Sequence, residues 1–95
     1  MDNIRFEFDS VKSLFLRGQR GFGFEEIIVL IEAGKLLAAI EHPKPDVYPE
    51  QKIYLLDVEN YIWLVPHVKR GNVIRLITCY PSRKATKQWL KEQDK

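Results

Sequence analysis

At the head of the chain Ile4, Phe6 and Phe8 alternate with Arg5 and Glu7, the two-residue period of a half-buried strand over residues 4–8. Asp9 or Ser10 can then cap a helix running through Leu16, with Val11, Leu14 and Phe15 at the i, i+3, i+4 spacing of one apolar face. The glycine-bearing stretch from Arg17 to Gly23 ends that helix. A second helix is expected from Phe24 to Ala33. Glu25 and Glu26 stand at the positive end of its dipole, and Gly34 is placed for the left-handed residue beyond its end. Its centre, Ile27 to Ile31, nonetheless has strand-like propensity.

From Leu36 onward the period becomes that of a sheet. Leu37 to Ile40 reads as a strand, and the prolines at 43, 45 and 49 make residues 41–49 an irregular loop. Ile53 to Val58, Tyr61 to Val68 and Val73 to Tyr80 follow as strands. The tight connections around Glu59-Asn60 and Arg70-Gly71-Asn72 make them an antiparallel meander. Both faces of these strands are largely apolar, so helices are expected on one and another body, such as a partner chain, on the other. Pro81 stops the last strand and Ser82 caps a helix to about Glu92, with Ala85 and Trp89 on one side and Arg83, Lys84, Lys87 and Lys91 outward. The expected fold is α+β. Two N-terminal helices pack on a three- to four-stranded antiparallel sheet, and a C-terminal helix follows.

A chain of 95 residues with 45% apolar content holds one core, so residues 1–95 are read as a single domain. The lone Cys79 excludes an internal disulfide and suits a reducing cytoplasm. The longest apolar runs fall far short of the ~20 residues of a membrane span, and no leader pattern precedes them.

Charge changes the picture more. Residues 1–48 carry six Lys/Arg against eight Asp/Glu, whereas residues 49–95 carry nine against five. Between Asn60 and Gln88 every charged side chain is a base: Lys69, Arg70, Arg75, Arg83, Lys84 and Lys87, with His67 beside them. A field of one sign on half a chain attracts polyanions, with nucleic-acid phosphate first among them. The alternative is a solvated surface of no special purpose.

Several motifs fail on context. Arg20-Gly21-Phe22-Gly23-Phe24 imitates the RNA-stacking strand of an RRM, but nineteen preceding residues cannot supply the elements that must come before it. It reads instead as a turn whose phenylalanines enter the core. His42, His67 and Cys79 are scattered singly, without the paired spacing of a metal site, and no loop has the order of glycines that cradles a dinucleotide. Neither metal nor cofactor is expected.

The stronger candidate is a constellation. A three-residue turn at Arg70-Gly71-Asn72 would set Arg75 and His67 opposite each other on one face, and a two-residue turn would separate them. Tyr80, Arg83 and Lys84 cluster where sheet meets helix. Cleaving RNA through its 2′-hydroxyl needs a base, cations to hold the phosphate as charge builds, and an acid for the leaving 5′-oxygen; imidazole, guanidinium, ammonium and phenol can share these tasks. His67, Arg75, Arg83, Lys84 and Tyr80 are therefore the candidate catalytic residues, with Lys12, His42, Lys69, Arg70 and Lys87 as candidate nucleic-acid contacts. The opposing reading pairs Arg75 with an acid such as Asp57 and makes His67 a satisfied sheet histidine. Catalysis by this set requires its cations to share one solvent-facing concavity.

Taken in order, Phe6-Glu7-Phe8-Asp9 with Lys12, Gly23-Phe24-Glu25-Glu26, the meander ending Ile74-Arg75-Leu76-Ile77, and Ser82-Arg83-Lys84-Ala85-Thr86 resemble the BrnT-like toxins of type II toxin–antitoxin pairs, within the wider RelE/ParE-like group. The resemblance implies a RelE-like α+β domain that is a metal-independent ribonuclease. It also implies neutralisation by an antitoxin carrying a ribbon-helix-helix DNA-binding region. It places functional weight on Arg75, Arg83 and Lys84, with Lys12 as a helper. Two further readings stand beside it: a non-enzymatic module binding nucleic acid or an acidic protein, and a ParE-like gyrase inhibitor.

Overall fold

The computed structural model describes residues 4–90. In chain order the elements are β1 (Arg5–Glu7), α1 (Ser10–Arg20), α2 (Phe24–Glu32), β2 (Leu36–Glu41), β3 (Gln51–Val58), β4 (Tyr61–Arg70), β5 (Val73–Leu76), β6 (Tyr80–Pro81) and α3 (Arg83–Trp89). The class is α+β, with, among the described residues, three helices and six strands in one sheet ordered β1-β5-β4-β3-β2, β6 pairing with β4 off that path. The sheet is larger than the three to four strands expected, and it is mixed rather than antiparallel. The N-terminal strand enters it parallel to β5, with Phe6 opposite Ile74.

The sheet has two covered faces. On the first, α1 and α2 lie over Leu56, Val58, Trp63, Val65, Ile74 and Leu76, closing a core that includes Leu16, Phe24, Ile27 and Cys79. On the second, Ala85, Trp89 and Leu90 pack on Ile53, Leu55, Ile62 and Leu64. The chain's own α3 therefore covers part of the face for which a partner chain was an option. Lys91 and Glu92, expected in this helix, lie outside the described residues.

Local rules explain most boundaries. The Asp9 carboxylate accepts from the Val11 and Lys12 N–H groups, and Gly21 closes α1 at φ 82°. The helix runs four residues beyond Leu16 because Gly18 costs it only propensity, while Arg17 is held to Glu25 (3.1 Å) and Glu26 (3.0 Å). Gly34 adopts φ 84°, the left-handed conformation expected of it.

The orientation of α1 departs from expectation. Val11, Leu14 and Phe15 are 75%, 65% and 59% exposed, and the helix buries Ser13 and Leu16 instead. Polar geometry sets this rotation. The Ser13 hydroxyl accepts from the Phe24 N–H (2.8 Å) and donates to the Glu25 carboxylate, tying α1 to the start of α2. A Cβ on Gly23 would lie 2.6 Å from Ser13 Oγ and 2.8 Å from its carbonyl oxygen, so the close approach requires glycine there.

Two turns decide the later registers. Glu59 (φ 52°) and Asn60 (φ 69°) form a two-residue hairpin loop of the type that needs both central residues at positive φ. At the next hairpin Arg70 pairs with Val73, so the loop is Gly71-Asn72, two residues rather than three.

The expected strand from Val73 to Tyr80 is split. Pro66 accepts from the Ile77 N–H (2.9 Å) but has no N–H to return. The ladder loses one residue of register there, passing from His67 opposite Leu76 to Leu64 opposite Tyr80. This bulge turns Tyr80 to the same sheet face as Leu64, the α3 side.

Candidate functional site

On β4 the alternation of side chains sends His67 and Lys69 to the face of α1 and α2, and Val68 and Arg70 to the other. On β3, Lys52 pairs with His67, and Tyr54 pairs with Val65 beside it. His67, Lys69, Lys52 and Tyr54 thus share the first face. There they line an open cleft of about 460 Å³ with Ala39, Glu50 and Gly71.

The geometry within the cleft is specific. The Tyr54 and His67 rings stack with centroids 3.7 Å apart and planes 15° from parallel. His67 is only 3% exposed, and its Nδ1 lies 3.0 Å from the Val65 carbonyl oxygen. A carbonyl can only accept, so Nδ1 carries the proton and Nε2 holds the lone pair of the neutral ring. Nε2 makes no hydrogen bond among the described residues, yet none of their buried polar side-chain atoms lacks a partner, so Nε2 reaches the solvent of the cleft.

Burial, with a smaller contribution from the Lys52 ammonium, pushes the His67 pKa below its ordinary value against the opposing pull of the Val65 carbonyl. Burial also raises the Tyr54 pKa, so the phenol keeps its proton at neutral pH. A neutral imidazole, a protonated phenol and two ammonium groups thus share one opening. Lys52 is drawn only loosely toward Glu41 (3.8 Å, both side chains largely exposed).

The other sequence-chosen residues are dispersed. The two-residue hairpin separates Arg75 from His67: Arg75 pairs with Val68 on the opposite face and lies 3.8 Å from Glu7, not beside Asp57, whose carboxylate accepts from the Asn60 N–H. Arg70 is on that face too, 3.3 Å from Glu50. Arg83, Lys84 and Lys87 are exposed on α3, whose start is tied to Ile62 through Ser82 and Thr86. Val68, beside Arg75, is six residues along β4 from Ile62, about 20 Å at ~3.4 Å per residue. Tyr80 lies between, opposite Leu64.

The His42 ring lies tilted against Tyr48 (centroids 4.5 Å apart), and its Nδ1 accepts from the Lys44 N–H, so it organises the 42–48 loop. Lys12 is half-buried on α1 and does not line the cleft. The five-residue catalytic set on one shared concavity is therefore corrected to His67 with Lys69, joined by Lys52 and Tyr54. Those last two were missed, although a two-residue turn at Glu59-Asn60 already makes partners of positions summing to 119, and hence of Lys52 and His67.

Cys79 is fully buried against the first core and burial raises its thiol pKa to about 11, which removes it from nucleophilic chemistry at neutral pH. Among the described residues no cluster of three His, Cys, Asp or Glu side chains could hold a metal, and no helix is long and apolar enough to cross a membrane. No protein-family model, no curated protein and no solved structure matches this chain.

Proposed function

We propose that the chain is a toxin of the BrnT-like, RelE-like kind that cleaves RNA in the His67 cleft. The observation that carries this reading is the stacked His67–Tyr54 pair opening between Lys52 and Lys69. His67 Nε2 takes the proton of a ribose 2′-hydroxyl, whose oxygen attacks the adjacent phosphorus. Lys52 and Lys69 hold the phosphate oxygens as charge builds on them. The Tyr54 phenol gives its proton to the departing 5′-oxygen, leaving a 2′,3′-cyclic phosphate on one fragment and a 5′-hydroxyl on the other. His67 then returns the proton to Tyr54 through solvent.

The test is to incubate the purified protein with end-labelled single-stranded RNA in the presence of a chelator. Fragments ending in cyclic phosphate are expected. A salt-dependent mobility shift with intact RNA would instead identify a binding module, and intact RNA with impaired DNA supercoiling would identify a gyrase inhibitor.

The α1 surface supports the other half of the proposal, a neutralising protein partner. Val11, Leu14 and Phe15 form an exposed apolar stripe on a helix that carries Lys12, Arg17 and Arg20 and no acid. This stripe suits an amphipathic antitoxin segment with acidic flanks. Phe15→Glu is expected to weaken capture of the protein encoded by the neighbouring gene at least tenfold while leaving RNA cleavage unchanged; capture at unaltered affinity would exclude this face.

A further inference from the structure

We infer that the face opposite the His67 cleft holds a second nucleotide subsite, one that takes an unstacked guanine of the same RNA strand; the inference rests on the RNA reading above. Val68, Val73 and Ile77 floor a cleft of about 300 Å³ whose rim is Glu7, Arg70 and Arg75. The register sets Arg5 beside Val73 on the same face, so a third arginine stands next to the two on the rim.

Two features distinguish this place from a solvated charge cluster. Its floor is aliphatic, and guanidinium planes stack on bases where ammonium groups do not. Its carboxylate is also only partly engaged: Glu7 meets Arg75 at 3.8 Å with both side chains about half exposed. A carboxylate can only accept hydrogen bonds, and guanine alone among the four bases presents two adjacent donors, N1–H and N2–H, on its pairing edge. Arg5, at the adjacent β1 position, is placed for a flanking phosphate.

The two clefts meet at the β4–β5 hairpin. Gly71 and Glu50 line the His67 cleft, and Glu50 holds Arg70 of the other at 3.3 Å. A strand rounding that hairpin would present a phosphate to His67 on one face and a base to Glu7 on the other.

The test is fluorescence anisotropy with a uridine 12-mer carrying one central G or one central A. The unaltered protein is expected to bind the G oligomer about tenfold more tightly. Glu7→Gln should reduce that preference to less than about twofold. Arg75→Lys, which keeps the charge and loses the plane, should weaken the G oligomer about tenfold and an abasic phosphate chain hardly at all. Equal affinity for the two oligomers, or an Arg75→Lys protein that binds both probes as the unaltered one does, overturns the subsite. Binding and cleavage report separately. Guanine-selective binding without cleavage would leave the subsite standing and remove the nuclease, whereas cleavage without base preference would do the reverse.

Discussion

Replacing His67 with glutamine is expected to lower RNA cleavage by about 10²–10⁴-fold, the usual contribution of a positioned acid–base group. The far-ultraviolet circular dichroism should remain that of the unaltered protein. Glutamine keeps a polar donor beside the Val65 carbonyl, but its amide is far too weakly basic to replace Nε2 as a base. A variant that cleaves at the original rate would take His67 out of the mechanism.

The pH dependence gives an independent check. Burial and Lys52 hold the His67 pKa below its ordinary value, so the acid limb of kcat/KM should fall at a lower pH than an ordinary histidine would give. The same shift affects stability with a definite sign. Between the lowered folded value and the unfolded value of ~6.5, the unfolded chain binds more protons. The stabilisation is therefore fully present above ~6.5 and is lost as pH falls toward the folded value. Denaturation midpoints measured across this window should show that slope in the unaltered protein and a shallower one in His67→Gln.

The sheet was legible in the sequence wherever turn chemistry alone fixes register. Glu59-Asn60 allowed one pairing of β3 with β4, and that pairing already implied the neighbourhood of Lys52 and His67. Arg70-Gly71-Asn72 allowed two pairings, which place Arg75 on opposite faces, and nothing local chooses between them. The bulge after Ile77 is a tertiary consequence of a proline one strand away, so Tyr80 could not be assigned a face from its own neighbours. The parallel pairing of β1 with β5 joins residues nearly 70 positions apart and leaves no periodic trace. The exposed face of α1 was misread because three apolar residues at helical spacing outweighed one serine, whereas in the fold Ser13 has partners on α2 and the apolar residues do not.

That contrast yields the largest expected effect on stability. Phe24→Ala should cost about 3–5 kcal/mol, a large share of the ~5–15 kcal/mol by which such domains are stable. Phe24 is fully buried, stacks obliquely on Phe8 at 5.3 Å and begins α2 beneath the Ser13 hydroxyl. Its removal leaves a cavity at the point where β1, α1 and α2 meet, and the short-range ties of Ser13 and Arg17 to Glu25 hold the helices too closely for the gap to collapse freely. Phe15→Ala deletes the same side chain nine positions earlier on a surface that is 59% exposed, and should change stability by no more than about 0.5 kcal/mol. Urea denaturation of the two variants side by side measures the difference directly. Comparable losses from both would mean that the Phe15 face is covered in solution and that α1 is turned toward a core, while a loss below about 1 kcal/mol from Phe24→Ala would mean that the helical layer is not anchored where α1 meets α2.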